Sequence, residues 1–410
     1  MPNHNSPGVY VTEVKSGSAP IAGVGTSTAC FIGLGPDGVT TGTTSSTSFK
    51  GPVLVTNFTE FLAGFDQSWP APSVKSAPTT TTSPAGDTGH PASATTTQQS
   101  PTNTMRYVAN AVRGFLSNGG TRCYVVQIAT TNDLEKALDS LEALDDISII
   151  AAPGLTDKAT RVALTGHAAK VMDRVAVLDT SETIDDFATS LAEKSQSLPG
   201  VSEYTALYFP WIQVSDAIDG SLTFVPPSGH IAGVYARVDA QRGVHKAPAN
   251  EPIYGALDLK YAISTAKQDG LNPHGVNCIR RLNGAIQIWG ARTVGGDANG
   301  EFKYISTRRL FNYLRESIKR GTQWAVFEPN DTNLWAKLTR NISAFLTQVW
   351  EAGALFGSTP QDAFYVQCNA ETNPLANREL GKVTAKIGVA ITKPAEFVEF
   401  ELGQWAGNGK

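Results

Sequence analysis

The 410-residue chain is poor in cysteine and lacks any long apolar run, and each shortage excludes a class of protein. No apolar stretch is long enough to cross a bilayer, so membrane insertion is not expected. The cysteines lie too far apart to form a CxxC pair, which argues against a disulfide framework or a cysteine-rich zinc site. They are Cys30, Cys123, Cys278 and Cys368. We therefore expect isolated reduced thiols.

Charge is also scarce: charged residues make up 17% of the chain, and the net charge is only −4. So small an excess does not indicate a nucleic acid or an anionic membrane as a partner. The first residues contain no charged region followed by an apolar one, so the sequence predicts no signal peptide and synthesis in the cytoplasm. The hydrophobic content of 41% and the length predict two or three domains with ample core.

Motifs that carry chemistry are missing as well. The sequence contains no G-x-S-x-G, no H-E-x-x-H and no phosphate-binding P-loop. The glycines at 33–38 follow a predicted strand, but a proline and a Thr/Ser-rich segment replace the helix that a dinucleotide site needs. His274 and Cys278 are four residues apart, but Pro273 and Gly275 argue against a helix that presents both to a metal. We expect no enzyme activity, cofactor or metal.

The chain does contain a regular alternation of helices and short apolar strands. Predicted helices span residues 105–116, 134–144, 158–171 and 185–194. Predicted strands span residues 28–34, 123–128, 147–151, 174–178, 204–212, 276–280 and 285–293. This alternation predicts an α/β fold with a mostly parallel sheet covered on both faces. Because such sheets bind ligands at the carboxyl ends of their strands, an α/β enzyme or small-molecule-binding protein stays open as an alternative.

Residues 67–104 differ from the rest in composition. They are rich in Thr, Ser, Pro and Ala and contain almost no large apolar side chain. Such a segment cannot build a core, so we interpret it as a surface insertion in the α/β region.

The C-terminal third predicts an α+β arrangement. A helix at 306–321 places Leu310, Leu314 and Ile318 on one arc, with Arg308, Arg315 and Lys319 on a separate stripe. A strand is predicted at 323–327, a helix at 332–352 and a strand at 363–367. Lys337 and Arg340 lie on the polar face of the second helix.

Both ends of the chain read as extended segments with no partner strand nearby in sequence. An isolated strand leaves its backbone groups unpaired and needs a partner. The residues concerned are Val9, Tyr10, Val11, Thr12, Glu13 and Val14 at the N-terminus, and Val398, Glu399, Phe400, Glu401 and Leu402 at the C-terminus.

Several of these segments, taken in order, resemble the contractile tail sheath proteins of myoviral phages, R-type pyocins and extracellular contractile injection systems. The C-terminal part of the match consists of Arg-Arg-Leu-x-Asn-Tyr-Leu from Arg308, Trp-Ala-Val-Phe-Glu-Pro-Asn from Trp324, the amphipathic helix around Trp335, and residues 369–374. Upstream, PGVYVTEV, AVRGFLSNGGTRCYVV, ISIIAAPGL and DRVAVLDT also match. The resemblance covers most of the chain outside residues 67–104.

The resemblance implies a division of the chain into four parts. An N-terminal extended arm would occupy residues 1–25 and an outer α/β domain residues 26–272, with the insertion at 67–104. An inner C-terminal sheath domain of α+β type would occupy residues 273–392, and a C-terminal extended arm residues 393–410.

It also implies a structural function. The chain would polymerise helically with itself around an inner tube protein, and the polymer would contract to drive the tube through a target envelope. Baseplate and tail-terminator proteins would bind the ends of the sheath, within a phage tail or a contractile injection particle. Contraction is then a rigid-body change between two packings, which requires no nucleotide or metal. A tail accessory protein that shares the fold but does not polymerise is a further alternative.

Two sets of residues are expected to carry this function. The two extended arms would add as strands to neighbouring subunits. The stripe of Arg308, Arg315 and Lys319 is the candidate tube contact, with Lys337 and Arg340 as the nearest competitors.

Overall fold

The computed structural model describes residues 20–35, 50–65, 104–183 and 202–399, which pack as two compact units. The first, called here the α/β unit, contains the described residues between Gly25 and Tyr313 together with residues 393–399. The second, called the C-terminal unit, contains residues 20–24 and Leu314–Thr392. No helix among the described residues combines the length and hydropathy needed to cross a bilayer.

Fourteen strands lie in the described residues, twelve of them in the α/β unit. They are β1 Ala29–Leu34, β2 Lys50–Val55, β3 Cys123–Ile128, β4 Ile149–Ala151, β5 Val175–Asp179, β6 Thr205–Phe209, β7 Ile212–Ser215, β8 Leu222–Val225, β9 Glu251–Pro252, β10 Asp258–Leu259, β11 Val276–Leu282, β12 Ala285–Ile288, β13 Phe364–Gln367 and β14 Lys386–Val389.

The helices of the described residues alternate with these strands over the first half of the chain. They are α1 Phe58–Gly64, α2 Met105–Ser117, α3 Leu134–Ser140, α4 Lys158–Val171, α5 Ser228–Arg242, α6 Thr265–Leu271, α7 Ile305–Gly321, α8 Thr332–Glu351, α9 Pro360–Ala363 and α10 Leu375–Glu379. The helix predicted at 185–194 lies outside the described residues.

The α/β unit is built on a nine-stranded sheet in the order β2-β3-β1-β4-β5-β6-β11-β12-β9. The six strands from β3 to β11 in this order pair in parallel. Strand β1 lies inside the sheet, with Phe31 opposite Val125 on one side and Ala151 on the other. The prediction of a mostly parallel sheet is confirmed.

Both faces of the sheet are buried, because successive residues of a strand point to opposite sides. Phe31 of β1 belongs to the core that contains Val112 and Phe115 of α2 and Tyr235 of α5. The next residue, Ile32, belongs to a second core that contains Leu138 of α3 and Leu164 of α4.

Helices α2 and α5 approach closely at two glycines of α5. A Cβ atom at Gly229 would meet the Cα of Ala111 at 2.3 Å, and one at Gly233 would meet the carbonyl oxygen of Phe115 at 2.5 Å. Only glycine fits at this distance, so the sequence Ser-Gly-His-Ile-Ala-Gly determines how tightly the two helices pack.

The predicted strand at 204–212 is in fact two strands. Strand β6 ends at Phe209, and β7 begins at Ile212 in a separate three-stranded sheet with β8 and β10. Pro210 has no N–H group to donate to a strand ladder, so the first sheet cannot continue through it.

Thr104, the last residue of the segment interpreted as an insertion, packs within the α/β unit. Thr104 is fully buried, and its N–H donates to the Leu34 carbonyl at 2.8 Å. The Leu34 N–H in turn donates to Thr104 Oγ1 at 2.8 Å. Thr104 therefore belongs to the core of the α/β unit, while residues 66–103 lie outside the described residues.

The division into compact units also differs from the boundary expected between residues 272 and 273. Strand β11 pairs in parallel with β6, with Val276 opposite Leu207, and β12 extends the same sheet. Residues 276–288 therefore belong to the α/β unit. The compact C-terminal unit begins only at Leu314.

The C-terminal unit has a small core around α8. Leu334, Trp335 and Leu338 pack against Cys368, with Trp324 beside them. Asp331 caps α8 by accepting the Leu334 N–H at 2.9 Å, and Asn330 Oδ1 accepts the Trp335 indole N–H at 2.9 Å. The residue types of this turn thus fix the start of the helix.

The strand predicted at 323–327 is wrong. Gln323–Ala325 forms a 3₁₀ turn, in which the N–H of Ala325 donates to the Thr322 carbonyl and that of Val326 to the Gln323 carbonyl. These local bonds use the backbone groups that a strand would need, and burial of Trp324 against α8 favours the turn. Phe327 follows with a φ of 67° and a fully exposed side chain.

Candidate functional site

Two arginines at the start of α7 are buried in the α/β unit. Arg308 Nη1 donates to Glu203 Oε1 at 2.8 Å, and Arg308 Nε donates to Asn312 Oδ1 at 3.0 Å. The guanidinium carbon lies 4.6 Å from the centre of the Tyr204 ring and 4.3 Å from that of Phe302. Glu203 and Tyr204 lie more than 100 residues away in sequence, so helical periodicity could not show that they bury Arg308.

Arg309 has a similar structural role on the other side of α7. Its Nη1 and Nη2 donate to the two carboxylate oxygens of Asp239 at 2.9 and 2.5 Å, and Nη2 also donates to the Thr26 carbonyl at 3.0 Å. Its guanidinium lies 4.6 Å from the Tyr235 ring centre. This bidentate ion pair, whose two side chains are almost fully buried, connects α7 to α5.

The remaining cations proposed for the tube contact are on the surface of the C-terminal unit. Arg315 and Lys319 of α7 are exposed, and so are Lys337 and Arg340 of α8. Lys319 Nζ lies 3.1 Å from the carboxylate of Glu316, whose side chain is only 5% exposed. The predicted stripe is therefore reduced to two exposed cations at the C-terminal end of α7.

The two arms can be located only in part. Val9, Tyr10, Val11, Thr12, Glu13 and Val14 lie outside the described residues, as do Phe400, Glu401 and Leu402. Val398 and Glu399 are described, and both are exposed.

The root of the C-terminal arm carries a contact that the sequence analysis missed. The carboxylate of Glu396 accepts hydrogen bonds from Arg292 Nε at 2.8 Å and Arg292 Nη2 at 2.9 Å. It also accepts from Asn272 Nδ2 and from the Tyr304 hydroxyl, each at 2.8 Å. Burial by itself would raise the pKa of Glu396, but these hydrogen bonds outweigh it and lower the pKa. No local pattern signals the pair, because Arg292 and Glu396 are 104 residues apart.

The small sheet of the C-terminal unit has two strands. Strands β13 and β14 pair antiparallel, with Tyr365 opposite Gly388, and pair with no other strand among the described residues. Among the described residues, each strand therefore has one edge without a strand partner, and two-stranded sheets are only marginally stable alone. This sheet is a candidate acceptor for an added strand.

The carboxyl end of β5, where an α/β enzyme would hold a ligand, is filled by structural contacts. Asp179 accepts the Ser228 N–H at 2.9 Å and the Ser228 hydroxyl at 2.6 Å, which caps α5. Burial raises the pKa of Asp179 to about 7, although the Ser228 hydrogen bonds oppose this shift. The Trp211 indole N–H donates to the Thr180 carbonyl at 2.8 Å. Among the described residues, no three His, Cys, Asp or Glu side chains cluster as a metal site would require.

Comparison with known families identifies two matching domains. The model of the phage tail sheath protein central domain matches residues 127–294, and that of the phage tail sheath C-terminal domain matches residues 297–403. The two matches follow each other along the chain without overlap and cover most of it.

Individual relatives agree with these models. A putative prophage major tail sheath protein of Pseudomonas aeruginosa (strain UCBPP-PA14) is 26% identical over 309 residues, covering 72% of this chain and 74% of its own. The tail sheath protein of Vibrio phage KVP40 is 29% identical over 181 residues, which span 43% of this chain and 26% of the phage protein.

Solved structures match over nearly the full length. The sheath of PVC, an extracellular contractile injection system, in its contracted state is 26% identical with a TM-score of 0.73, covering 99% of both chains. A chain from the baseplate of the anti-feeding prophage (AFP) is 26% identical with a TM-score of 0.71, covering 98% of this chain and 99% of that one.

Proposed function

The chain belongs to the phage tail sheath protein family, and from this membership we propose that it is the structural subunit of a contractile sheath. It polymerises helically, and the polymer contracts to drive an inner tube through a target envelope. The observation that carries the proposal is the full-length structural match to a contracted sheath. Heterologous contacts that do not close on themselves generate the open helical filament that this function needs.

The partners follow from the same proposal. The subunit binds copies of itself along the sheath, and the match to a baseplate chain supports association with a baseplate at one end. We further propose an inner tube protein as the partner inside the sheath and a tail terminator at its other end. Assembly takes place in the bacterial cytoplasm, into a phage tail or a contractile injection particle.

The simplest test is assembly of the full chain expressed alone. Negative-stain microscopy is expected to show long hollow polymers, because the sheath contacts are made between copies of this chain. Discrete monomers that bind a small molecule tightly would instead support the alternative of an α/β binding protein or enzyme.

The arms are proposed to link neighbouring subunits by strand addition. Support comes from the open edges of the β13–β14 sheet and from the exposure of Val398 and Glu399. An added strand would satisfy the free backbone groups, and linking each subunit to several others multiplies modest contacts.

Removal of residues 1–15 tests this proposal. The deletion is expected to leave a folded monomer and to abolish polymers, as measured by circular dichroism and sedimentation. Polymers of normal length and yield from the deletion would contradict the role of the N-terminal arm.

The tube contact is proposed to be electrostatic, because exposed ion pairs contribute only about 0–1 kcal/mol each and a sheath must release its tube. Arg315 and Lys319 are the exposed remainder of the predicted stripe and carry the proposal. Replacing both with Glu is expected to prevent extended sheath on tubes while tube-free polymers still form. Binding should also weaken in 1 M salt, where screening acts over about 3 Å.

The matched control replaces Lys337 and Arg340 with Glu, which changes charge equally on the neighbouring helix α8. Loss of tube binding in this control alone would show that the tube contact lies on α8 and not on α7. Normal tube binding by both variants would exclude both surfaces.

A further inference from the structure

The described tail at 393–399 belongs to the α/β unit and contacts it through the carboxylate of Glu396. Glu396 receives four hydrogen bonds, two of them from Arg292, whose side chain is 3% exposed. Charge-assisted, bidentate bonds of this kind are the strongest class of side-chain hydrogen bond. The tail is therefore held at Glu396 with a defined position.

The receptor for Glu396 is built independently of the tail. Arg292 exchanges two backbone hydrogen bonds with the side chain of Asn277, at 2.7 and 2.8 Å, and Asn277 lies in β11 of the central sheet. Arg292 Nη1 also donates to the Asn272 carbonyl at 3.0 Å and to Asp297 at 3.1 Å. Asn277 thus holds the Arg292 backbone, and the Asn272 carbonyl and Asp297 hold its guanidinium, so none of these partners lies in the tail.

Two large apolar side chains follow the docked carboxylate directly. Phe397 is 70% exposed and Val398 is 68% exposed. We propose that Glu396 and Arg292 form an anchor that fixes the root of the C-terminal arm and so positions Phe397 and Val398 for contact with a second copy of the chain. The contact with a second copy rests on the proposed sheath function, whereas the anchor itself does not. A fixed root lowers the ordering cost that a free arm would incur on binding.

The anchor is separable from folding of the unit. Without Glu396, Arg292 keeps Asp297 and the Asn272 carbonyl as partners, so no buried charge is orphaned. Glu396→Ala is therefore expected to release the tail and leave the α/β unit folded. Glu396→Gln keeps an acceptor oxygen but removes the charge, so it should give an intermediate result.

The first experiment measures release of the tail in the unassembled full chain. Chymotrypsin cleavage after Phe397, identified by mass spectrometry, should accelerate about tenfold in Glu396→Ala, which corresponds to about 1.4 kcal/mol. Glu301→Ala is the matched control, because Glu301 is an exposed glutamate of the same unit, and its cleavage rate should stay unchanged. Equal cleavage rates in Glu396→Ala and the wild type would overturn the anchor.

The second experiment measures assembly by sedimentation at equal protein concentrations. Glu396→Ala should form several-fold less polymer than the wild type, with an unchanged melting temperature. The polymer yield of Glu396→Gln should lie between those of Glu396→Ala and the wild type. Glu301→Ala should form as much polymer as the wild type. Normal polymer from Glu396→Ala with a released tail would overturn the positioning role. Failure of the wild type to polymerise would refute the proposed function, while the cleavage assay would still decide the anchor.

Discussion

Phe327 is a non-glycine residue in the left-handed region of backbone conformation, with φ of 67° and full exposure of its side chain. Its conformation costs free energy that no packing of its own ring offsets in the isolated subunit. Phe327→Asn should therefore stabilise the unassembled subunit by about 1 kcal/mol, because asparagine tolerates this region far better than phenylalanine. Urea unfolding measures the change. Destabilisation by this substitution would show that the Phe327 ring makes a stabilising contact in the subunit.

Asp179 gives the α/β unit a specific pH dependence. Its pKa is raised from 3.8 to about 7 by burial, so the folded state holds a proton that the unfolded state releases between these values. The stability that this proton contributes is complete below the unfolded pKa and is lost as the pH rises through about 7.

Asp179→Asn removes this titration while keeping a side chain that can accept the Ser228 N–H. Relative to the variant, the wild type should lose up to about 1.4 kcal/mol of unfolding free energy per pH unit between about pH 4 and 7. Burial lowers the pKa of His167 and His230 to about 4, so these two histidines make stability rise with pH over this range. Both proteins contain them, so their contribution cancels in the comparison. Parallel stability curves for the two proteins across this range would contradict the raised pKa.

At the scale of elements, Arg308 is one of two arginines that hold the start of α7 in the α/β unit. Arg308→Ala removes the ion pair with Glu203 and the contacts with three aromatic rings. We expect a loss of about 2–3 kcal/mol in unfolding free energy, less than for a fully buried pair because Glu203 can regain water. Arg340→Ala, a truncation of an exposed arginine on α8, should change stability by less than about 0.5 kcal/mol. Equal effects of the two truncations would contradict the structural role of Arg308.

Most elements could be predicted because their signals are local. The bounds of β3 and α4 match the prediction, because β3 is a short apolar run and α4 starts at a capping residue, Asp157, which accepts the Thr160 N–H at 3.0 Å. The 3₁₀ turn at Gln323–Ala325 could not be predicted, because its alternation of residues resembles a strand and only packing of Trp324 against α8 decides the outcome. Arg308 shows the same limit for the site: periodicity gives the face of a helix but not what covers that face.

At the scale of the whole molecule, residues 66–103 interrupt the α/β unit between α1 and α2. Replacing residues 67–103 with a short Gly/Ser linker, and keeping Thr104, should change the melting temperature little, because loop-length terms are small. The same replacement with Thr104→Ala should be clearly less stable, since the Leu34 N–H loses a buried acceptor. A large drop in melting temperature for the linker variant that keeps Thr104 would show that the replaced segment packs into the structure.

The division of the chain was the least predictable feature at this scale. Strand β11 lies beside β6, and the tail returns to the α/β unit through Glu396; both pairings join residues far apart in sequence. Composition and periodicity carry no information on such pairings, so they could not show that residues 276–288 lie in the sheet of the α/β unit. The domain division at residue 272 stays a prediction.

The separation of Arg292 from Glu396 also has a consequence for the order of events during synthesis. Arg292 leaves the ribosome 104 residues before Glu396 does. At roughly 5–20 residues per second, that interval lasts about 5–20 seconds, in which the sheet can fold but its receptor for the tail stays empty. A nascent chain that has not yet released Glu396 therefore has no docked tail. If the arm links subunits as proposed, a chain at that stage cannot join a growing filament through it.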